Sequence, residues 1–281
     1  MAESPLLRLQ GLSAAAAPGL ARAAIRGLSF ALQAGEQVAV IGASGSGKTS
    51  LLSTLALAQP PLAGRLEILG QDPWALGRAP RHRLRAALCL APQTPPLPPR
   101  QRVVTAVLAG RLPEQSLWQS LRTLWSPPEA PLAHAALQTL DLGDKLWQRV
   151  DQLSGGERQR VGLARLLVSS ARLWLVDEPL SALDPTRAEQ ALQSLQQAAR
   201  ERGRTLVCSL HQLGLARRLF PRILALKDGE LVFDGPAEAL DDALLQRLYG
   251  FADFDAVDAA PDVSAAAATA SESLLPQAMC R

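Results

Sequence analysis

Residues 38–50 read Val-Ala-Val-Ile-Gly-Ala-Ser-Gly-Ser-Gly-Lys-Thr-Ser, and few folds accommodate such a run. Four apolar residues in succession, Val38 to Ile41, suit a parallel strand buried on both faces. Gly42, Gly45 and Gly47 then let the backbone turn tightly and approach a ligand. Lys48-Thr-Ser-Leu-Leu52 reads as the first turns of a helix. A glycine-rich loop that opens a helix presents free N–H groups and the positive end of the helix dipole, which is an anion site. Gly42 to Thr49 fits G-x-x-x-x-G-K-[ST], the phosphate-binding P-loop pattern. In that pattern Gly42, Ala43, Ser44, Gly45, Ser46, Gly47 and Ser50 frame the phosphates. Lys48 reaches the β- and γ-phosphates and the Thr49 hydroxyl is a ligand for Mg²⁺. The expected ligands are ATP and Mg²⁺.

The chain of 281 residues is 48% hydrophobic, enough for one large or two smaller domains with a sizeable core. A net charge of +3 on 29 basic and 26 acidic residues gives no argument for a nucleic-acid partner, and none is expected. Cys89, Cys208 and Cys280 are an odd, widely spaced set, which argues against a disulfide framework or a zinc site. Cys89 and Cys208 lie in apolar runs and are expected to be buried thiols. No signal peptide is visible at residues 1–6, and no apolar run approaches the ~18 residues of a membrane helix. A cytoplasmic chain is expected, reaching a membrane only through a partner.

Leu7 and Leu9 alternate with polar residues, Leu28 to Leu32 alternates better, and Gly64 to Gly70 encloses another short strand. These predict a small antiparallel sheet beside a parallel core. Pro92, Pro95, Pro96, Pro98 and Pro99 surround Gln93 in a stretch that cannot be helical and reads as a stiff connector. Helices are expected at 103–112, 116–125 and 132–142, within a mainly helical subdomain at about 92–168. Leu173 to Val176, a helix over 188–202 and Thr205 to Leu210 form a β-α-β unit. Strands at 223–226 and 231–233 flank a hairpin turn through Asp228-Gly229. Residues 251–281 are Ala-, Asp- and Ser-rich, the composition of a disordered tail.

Two further stretches carry chemistry. The run Leu173-Trp-Leu-Val-Asp-Glu178 is an apolar strand ending in two acids. Beside a P-loop, Asp177 can anchor Mg²⁺, and Glu178 can accept a proton from the attacking water. Leu153-Ser-Gly-Gly-Glu157 precedes an apolar-faced helix with Ser154 as its N-cap. It is either a plain capped helix start or a second anion site, and both hold if the anion is a γ-phosphate.

Gly42–Thr49, Gln93, Leu153–Glu157, Leu173–Glu178, Ser181-Ala-Leu-Asp184 and His211 stand in the order and spacing of an ATP-binding cassette. Over residues 6–250 the chain resembles the nucleotide-binding subunit of an ABC transporter, and the Leu-Ser-Gly-Gly-Glu element is specific to that family. The resemblance implies an α/β fold: a P-loop NTPase (RecA-like) core with a small antiparallel β subdomain and an inserted helical subdomain. It implies two cassettes packed head to tail, each ATP lying between one chain's P-loop and the other's signature helix. It gives Ser154, Gly155 and Gly156 to the partner's γ-phosphate, Gln93 to Mg²⁺ and the permease, and Asp184 to the link between sites. His211 is then a γ-phosphate contact that positions Glu178. The implied place is the cytoplasmic face of the inner membrane. The implied partners are a second cassette, transmembrane permease subunits and, indirectly, a periplasmic solute-binding protein.

Residues 107–112, 116–121, 148–156, 233–236 and 241–250 resemble the phosphonate-importer type of cassette. The imported solute never touches a cassette, so phosphonate or a related oxyanion follows from resemblance alone. The alternatives are an importer of another small polar solute, a soluble cassette ATPase unconnected with transport, and a regulatory cassette. A single cassette without sustained heptads weighs against the soluble ATPases, and Lys48, Asp177, Glu178 and His211 weigh against inactivity. One departure stands out. The family's adenine-stacking aromatic is replaced near Ala16, and the lone tyrosine, Tyr249, is far away. A stacked aromatic is worth about 1–3 kcal/mol per base, so ATP affinity is expected to be lowered several-fold or more.

Overall fold

The computed structural model describes residues 4–125, 127–180 and 182–241. Ser181, Tyr249, Cys280, the tail at 251–281 and the side chains of Leu117, Leu124 and Trp125 lie outside that description. In chain order the elements are β1 (Leu7–Ala15), β2 (Ala23–Leu32), β3 (Gln37–Ile41), α1 (Lys48–Leu55) and β4 (Ala63–Ile68). There follow α2 (Arg78–Arg85), β5 (Leu88–Ala91), α3 (Val103–Leu108), α4 (Leu117–Trp125), α5 (Ala130–Gln138) and α6 (Gly155–Val168). The chain continues through β6 (Leu173–Asp177), α7 (Pro185–Glu201), β7 (Thr205–Ser209), α8 (Leu213–Leu219), β8 (Arg222–Lys227) and β9 (Glu230–Pro236).

The strands form two sheets, as the sequence leads one to expect. β2-β1-β4 is antiparallel. The larger sheet runs β5-β6-β7-β3-β8-β9 and is parallel except for its last pair. Side-chain alternation sends each central strand into two cores. Ala39, Ile41, Trp174, Val176, Leu206 and Cys208 face the helices α3 and α5–α8. Val38, Val40, Leu173, Leu175, Val207 and Leu224 face α1 and the antiparallel sheet. Burial on both faces is why these strands are apolar runs rather than alternating ones. The β8–β9 turn has Asp228 at φ 50° and Gly229 at φ 82°, the left-handed pair that a tight hairpin needs.

Three details depart from expectation. The helix starting at Val103 stops at Leu108 and tightens into a 3₁₀ turn over Ala109–Glu114, which contains Pro113. α2, to which no sequence pattern pointed, buries only Leu84. It is held instead by Arg81, which donates to the carbonyls of Pro73 (2.8 Å) and Leu76 (2.8 Å) and lies 4.8 Å from the Trp74 ring centroid. Cys89 is only partly buried, whereas Cys208 is buried as expected. β5 pairs on one side only, along β6, and this leaves Cys89 less covered than the central strands.

Candidate active site

The P-loop is built by sterics. Gly42 (φ 150°) and Gly47 (φ 103°) adopt backbone angles that side chains resist. A Cβ at Gly42 would lie 2.3 Å from the Leu226 carbonyl oxygen, and one at Gly47 would lie 2.7 Å from Ile25 Cγ2. α1 begins without a side-chain cap, so its first-turn amides are left for an external anion. Lys48 is buried and curls over the loop, donating to Gly42 O (2.8 Å) and Ala43 O (3.2 Å). Burial pulls its ammonium below the usual lysine range, against the opposing pull of Glu178 and Asp177. Ser46 Oγ is buried without a hydrogen-bond partner. An orphaned hydroxyl within a ring of backbone amides fits a loop made to take up phosphate oxygens.

Opposite the loop, Glu178 is a hub. Its Oε1 lies 2.5 Å from His211 Nε2 and 3.7 Å from Lys48 Nζ. Its Oε2 accepts from Gln93 Nε2 at 2.8 Å. Asp177, buried at the end of β6, accepts from Ser209 Oγ at 2.7 Å. These groups lie far apart in the chain, yet the sheet aligns them. Gln93 follows β5, Glu178 follows β6, His211 follows β7 and the P-loop follows β3, four neighbouring parallel strands. Ligands of open α/β sheets bind outside the carboxyl ends of such strands. Among the described residues no group of three or more His, Cys, Asp or Glu could hold a metal ion by itself. A Mg²⁺ ion bound through one carboxylate and substrate phosphates needs no such cage, and Thr49, Asp177 and Gln93 carry side-chain oxygens of the type that would suit it.

The signature segment forms a separate place. Ser154 caps α6 reciprocally: Glu157 N donates to Ser154 Oγ (3.2 Å) and Ser154 N to Glu157 Oε2 (2.8 Å). Ser154, Gly155, Gly156 and Asp184 line an open cavity of about 510 Å³. Asp184 caps α7, accepting from Arg187 N at 3.0 Å. Among the described residues no hydrogen bond or ion pair joins Ser154, Gly155 or Gly156 to the Lys48–Glu178 cluster. The signature segment and the Lys48–Glu178 cluster are two separate places in the described structure.

A family profile described as ABC transporter matches residues 25–181. The chain belongs to the ABC transporter family. It is 62% identical over 229 residues to the phosphonates import ATP-binding protein PhnC of Polaromonas sp., covering 82% of this chain and 83% of that one. It is 58% identical to PhnC 2 of Albidiferax ferrireducens, covering 86% and 88%. Among solved structures it is similar to a dimeric post-hydrolysis state of the cassette MJ0796 bound to ADP and Pi. There the TM-score is 0.70 at 27% identity, over 83% of this chain and all of that one. A bacterial Atm1-family ABC exporter with ATP bound matches with TM-score 0.70 at 28% identity, over 92% of this chain and 42% of that one. The P-loop NTPase fold and ATP binding follow from the family.

Ala16, Leu20, Arg22, Arg26, Gly45 and Asp228 line a cavity of about 400 Å³ beside the P-loop, with no aromatic ring among its lining residues. Two site residues escaped sequence reasoning. Ser209 bridges Asp177 and the Glu178 amide, and a strand-final serine carries no signal of that. Gln159, 4% exposed on α6, reaches the Glu178 backbone; one polar residue on a helix gives no sign of its partner.

Proposed function

We propose that the chain is the ATP-hydrolysing subunit of a phosphonate importer, acting as a pair of cassettes beneath a transmembrane permease. The observation that carries the enzymatic part is the Glu178 carboxylate, held between His211, Gln93 and Lys48 at the mouth of the P-loop. Lys48 and the α1 amides hold the β- and γ-phosphates. Thr49, Asp177 and Gln93 would hold Mg²⁺, which would supply neutralisation of the phosphate charge. Glu178 orients the attacking water and takes its proton. His211 fixes the carboxylate and touches the γ-phosphate. Ser154, Gly155 and Gly156 of one chain close on the nucleotide of the other, and Asp184 lies at the seam. The cassette is taken as residues 6–250, with its helical subdomain at about 92–168.

The solute rests on the names of relatives up to 62% identical. No described helix is long and apolar enough to cross a membrane, which suits a peripheral subunit held by its permease at the cytoplasmic face. Trp118, 82% exposed on α4, and Gln93 mark the face proposed for that permease. A periplasmic solute-binding protein enters only through the permease. Loss of the chain should abolish uptake of a labelled alkylphosphonate; undiminished uptake would exclude phosphonate.

A two-fold axis that brings each signature onto the other chain's P-loop gives an isologous dimer with two composite sites. Mixing tests this. Lys48→Ala and Ser154→Arg homodimers should both be inactive. Mixed, they rebuild one intact site, from the Lys48 of one chain and the Ser154 of the other, and ATPase activity should return. Full activity of the Ser154→Arg homodimer would show that the signature does not face nucleotide.

A further inference from the structure

We propose that Gln159 is a positioning residue for ATP hydrolysis, one that fixes the backbone carrying Glu178 and ties it to the signature helix. The proposal rests on the reading of Glu178 as the catalytic carboxylate.

Glu178 adopts φ 45°, a left-handed conformation that a non-glycine residue keeps only when its surroundings impose it. Two side chains impose it here. From β7, Ser209 Oγ accepts the Glu178 N–H at 2.9 Å. From α6, Gln159 Nε2 donates to the Glu178 carbonyl at 2.9 Å. The other end of the same amide, Oε1, accepts from Ala182 N at 3.0 Å. One buried amide thus joins the backbone of Glu178 to that of Ala182. With 4% of Gln159 exposed, water cannot readily replace it.

The position in the fold gives the bridge its meaning. Gln159 sits on α6, whose first residues line the cavity of the other half-site. Its hydrogen bonds go to the carboxylate half-site of its own chain. Any shift of α6 as its N-terminus meets a partner's nucleotide is therefore carried to Glu178 by a single side chain. Displacements near 1 Å at a reacting group cost on the order of a hundredfold in rate, so loss of the bridge should reach turnover without touching the groups that bind ATP.

The test compares wild type, Gln159→Leu and Gln159→Glu full-length chains, with Glu178→Gln as reference. Steady-state ATPase, affinity for a fluorescent ATP analogue and thermal melting are measured on each. Gln159→Leu should lower kcat at least about tenfold while KM and analogue affinity stay within about twofold. Gln159→Glu adds a pH signature. Its ionised carboxylate accepts from Ala182 N but repels the Glu178 carbonyl, whereas its protonated form can donate there. Burial raises a carboxyl pKa, so its activity relative to wild type at the same pH should rise from about pH 8 to about pH 6.

An unchanged kcat in Gln159→Leu, or equal losses of kcat and nucleotide affinity, overturns the proposal. So does a Gln159→Glu activity ratio that is flat with pH. Each of these leaves the Glu178 reading standing. Wild-type kcat in Glu178→Gln overturns that reading, and the role of Gln159 with it.

Discussion

The molecule has two glycine-marked helix starts, and they are built in opposite ways. α1 follows Gly47 in a left-handed conformation, with no side-chain cap. α6 follows Ser154 in an extended conformation and is closed by the reciprocal Ser154–Glu157 box. The first leaves its orphan amides for a ligand, and its own chain supplies the opposing charges, Lys48 and Glu178. The second stabilises itself and faces an open cavity whose described lining includes none of that cluster. The two glycine-marked helix starts thus differ in capping, one left without a side-chain cap and one closed by its own residues.

The largest test of that contrast is Glu178→Gln. It keeps the shape of the hub but exchanges one acceptor oxygen for an N–H donor and removes proton acceptance, so kcat should fall about 10²–10⁴-fold with ATP binding retained. An ATP-trapped dimer should accumulate on gel filtration. Wild-type turnover would remove Glu178 from the chemistry.

Glycines sharpen the comparison next. A Cβ at Gly42 would meet backbone at 2.3 Å and one at Gly156 would meet the Ala182 carbonyl oxygen at 2.8 Å, whereas one at Gly155 has only Ala182 Cβ at 3.9 Å. Gly42→Ala and Gly156→Ala should each cost about 1–3 kcal/mol of stability by overpacking. Gly155→Ala should leave the melting temperature unlowered yet cut ATPase activity if, as proposed, this position faces the other chain's nucleotide. A fully active Gly155→Ala would place the composite interface elsewhere.

Ser154→Ala removes the α6 cap and should cost about 1 kcal/mol, a fall of about 2–4 °C in Tm for a chain of this size. No α1 substitution at Gly47 can be tested this way, since that helix has no cap to lose.

The smallest effect is a pH dependence. The Ser154 backbone N–H holds the Glu157 carboxyl below the usual glutamate range. A carboxyl lowered in the folded state stabilises above its unfolded pKa, about 4.3, and that stability is lost as pH falls through the folded value. Glu157→Gln keeps the box but not the charge. The Tm advantage of wild type over Glu157→Gln near neutral pH should therefore shrink on acidification. A gap constant with pH would mean that the bond is absent in solution.

Much of this was legible in the chain because it is local. Tight glycines before Lys48, apolar runs too short for helices, Asp228-Gly229 and the Ser154 cap are each decided by backbone sterics and hydrogen bonds within a few residues. The helix α2 was illegible because an arginine bonding to backbone carbonyls, not an apolar stripe, holds it. Glu157 showed in the sequence only as the last residue of the Leu-Ser-Gly-Gly-Glu element, and the geometry makes it half of a capping box. The convergence of Gln93, Glu178, His211 and Lys48 became a fact only through the strand order β5-β6-β7-β3, because hydrogen-bonded neighbours in a parallel sheet are not neighbours in sequence. The residue types at the site were written in the sequence, since phosphate chemistry demands them. Their distances and the bridge through Gln159 were decided by tertiary structure, because side chains from remote segments meet only once the sheet fixes where its carboxyl ends lie.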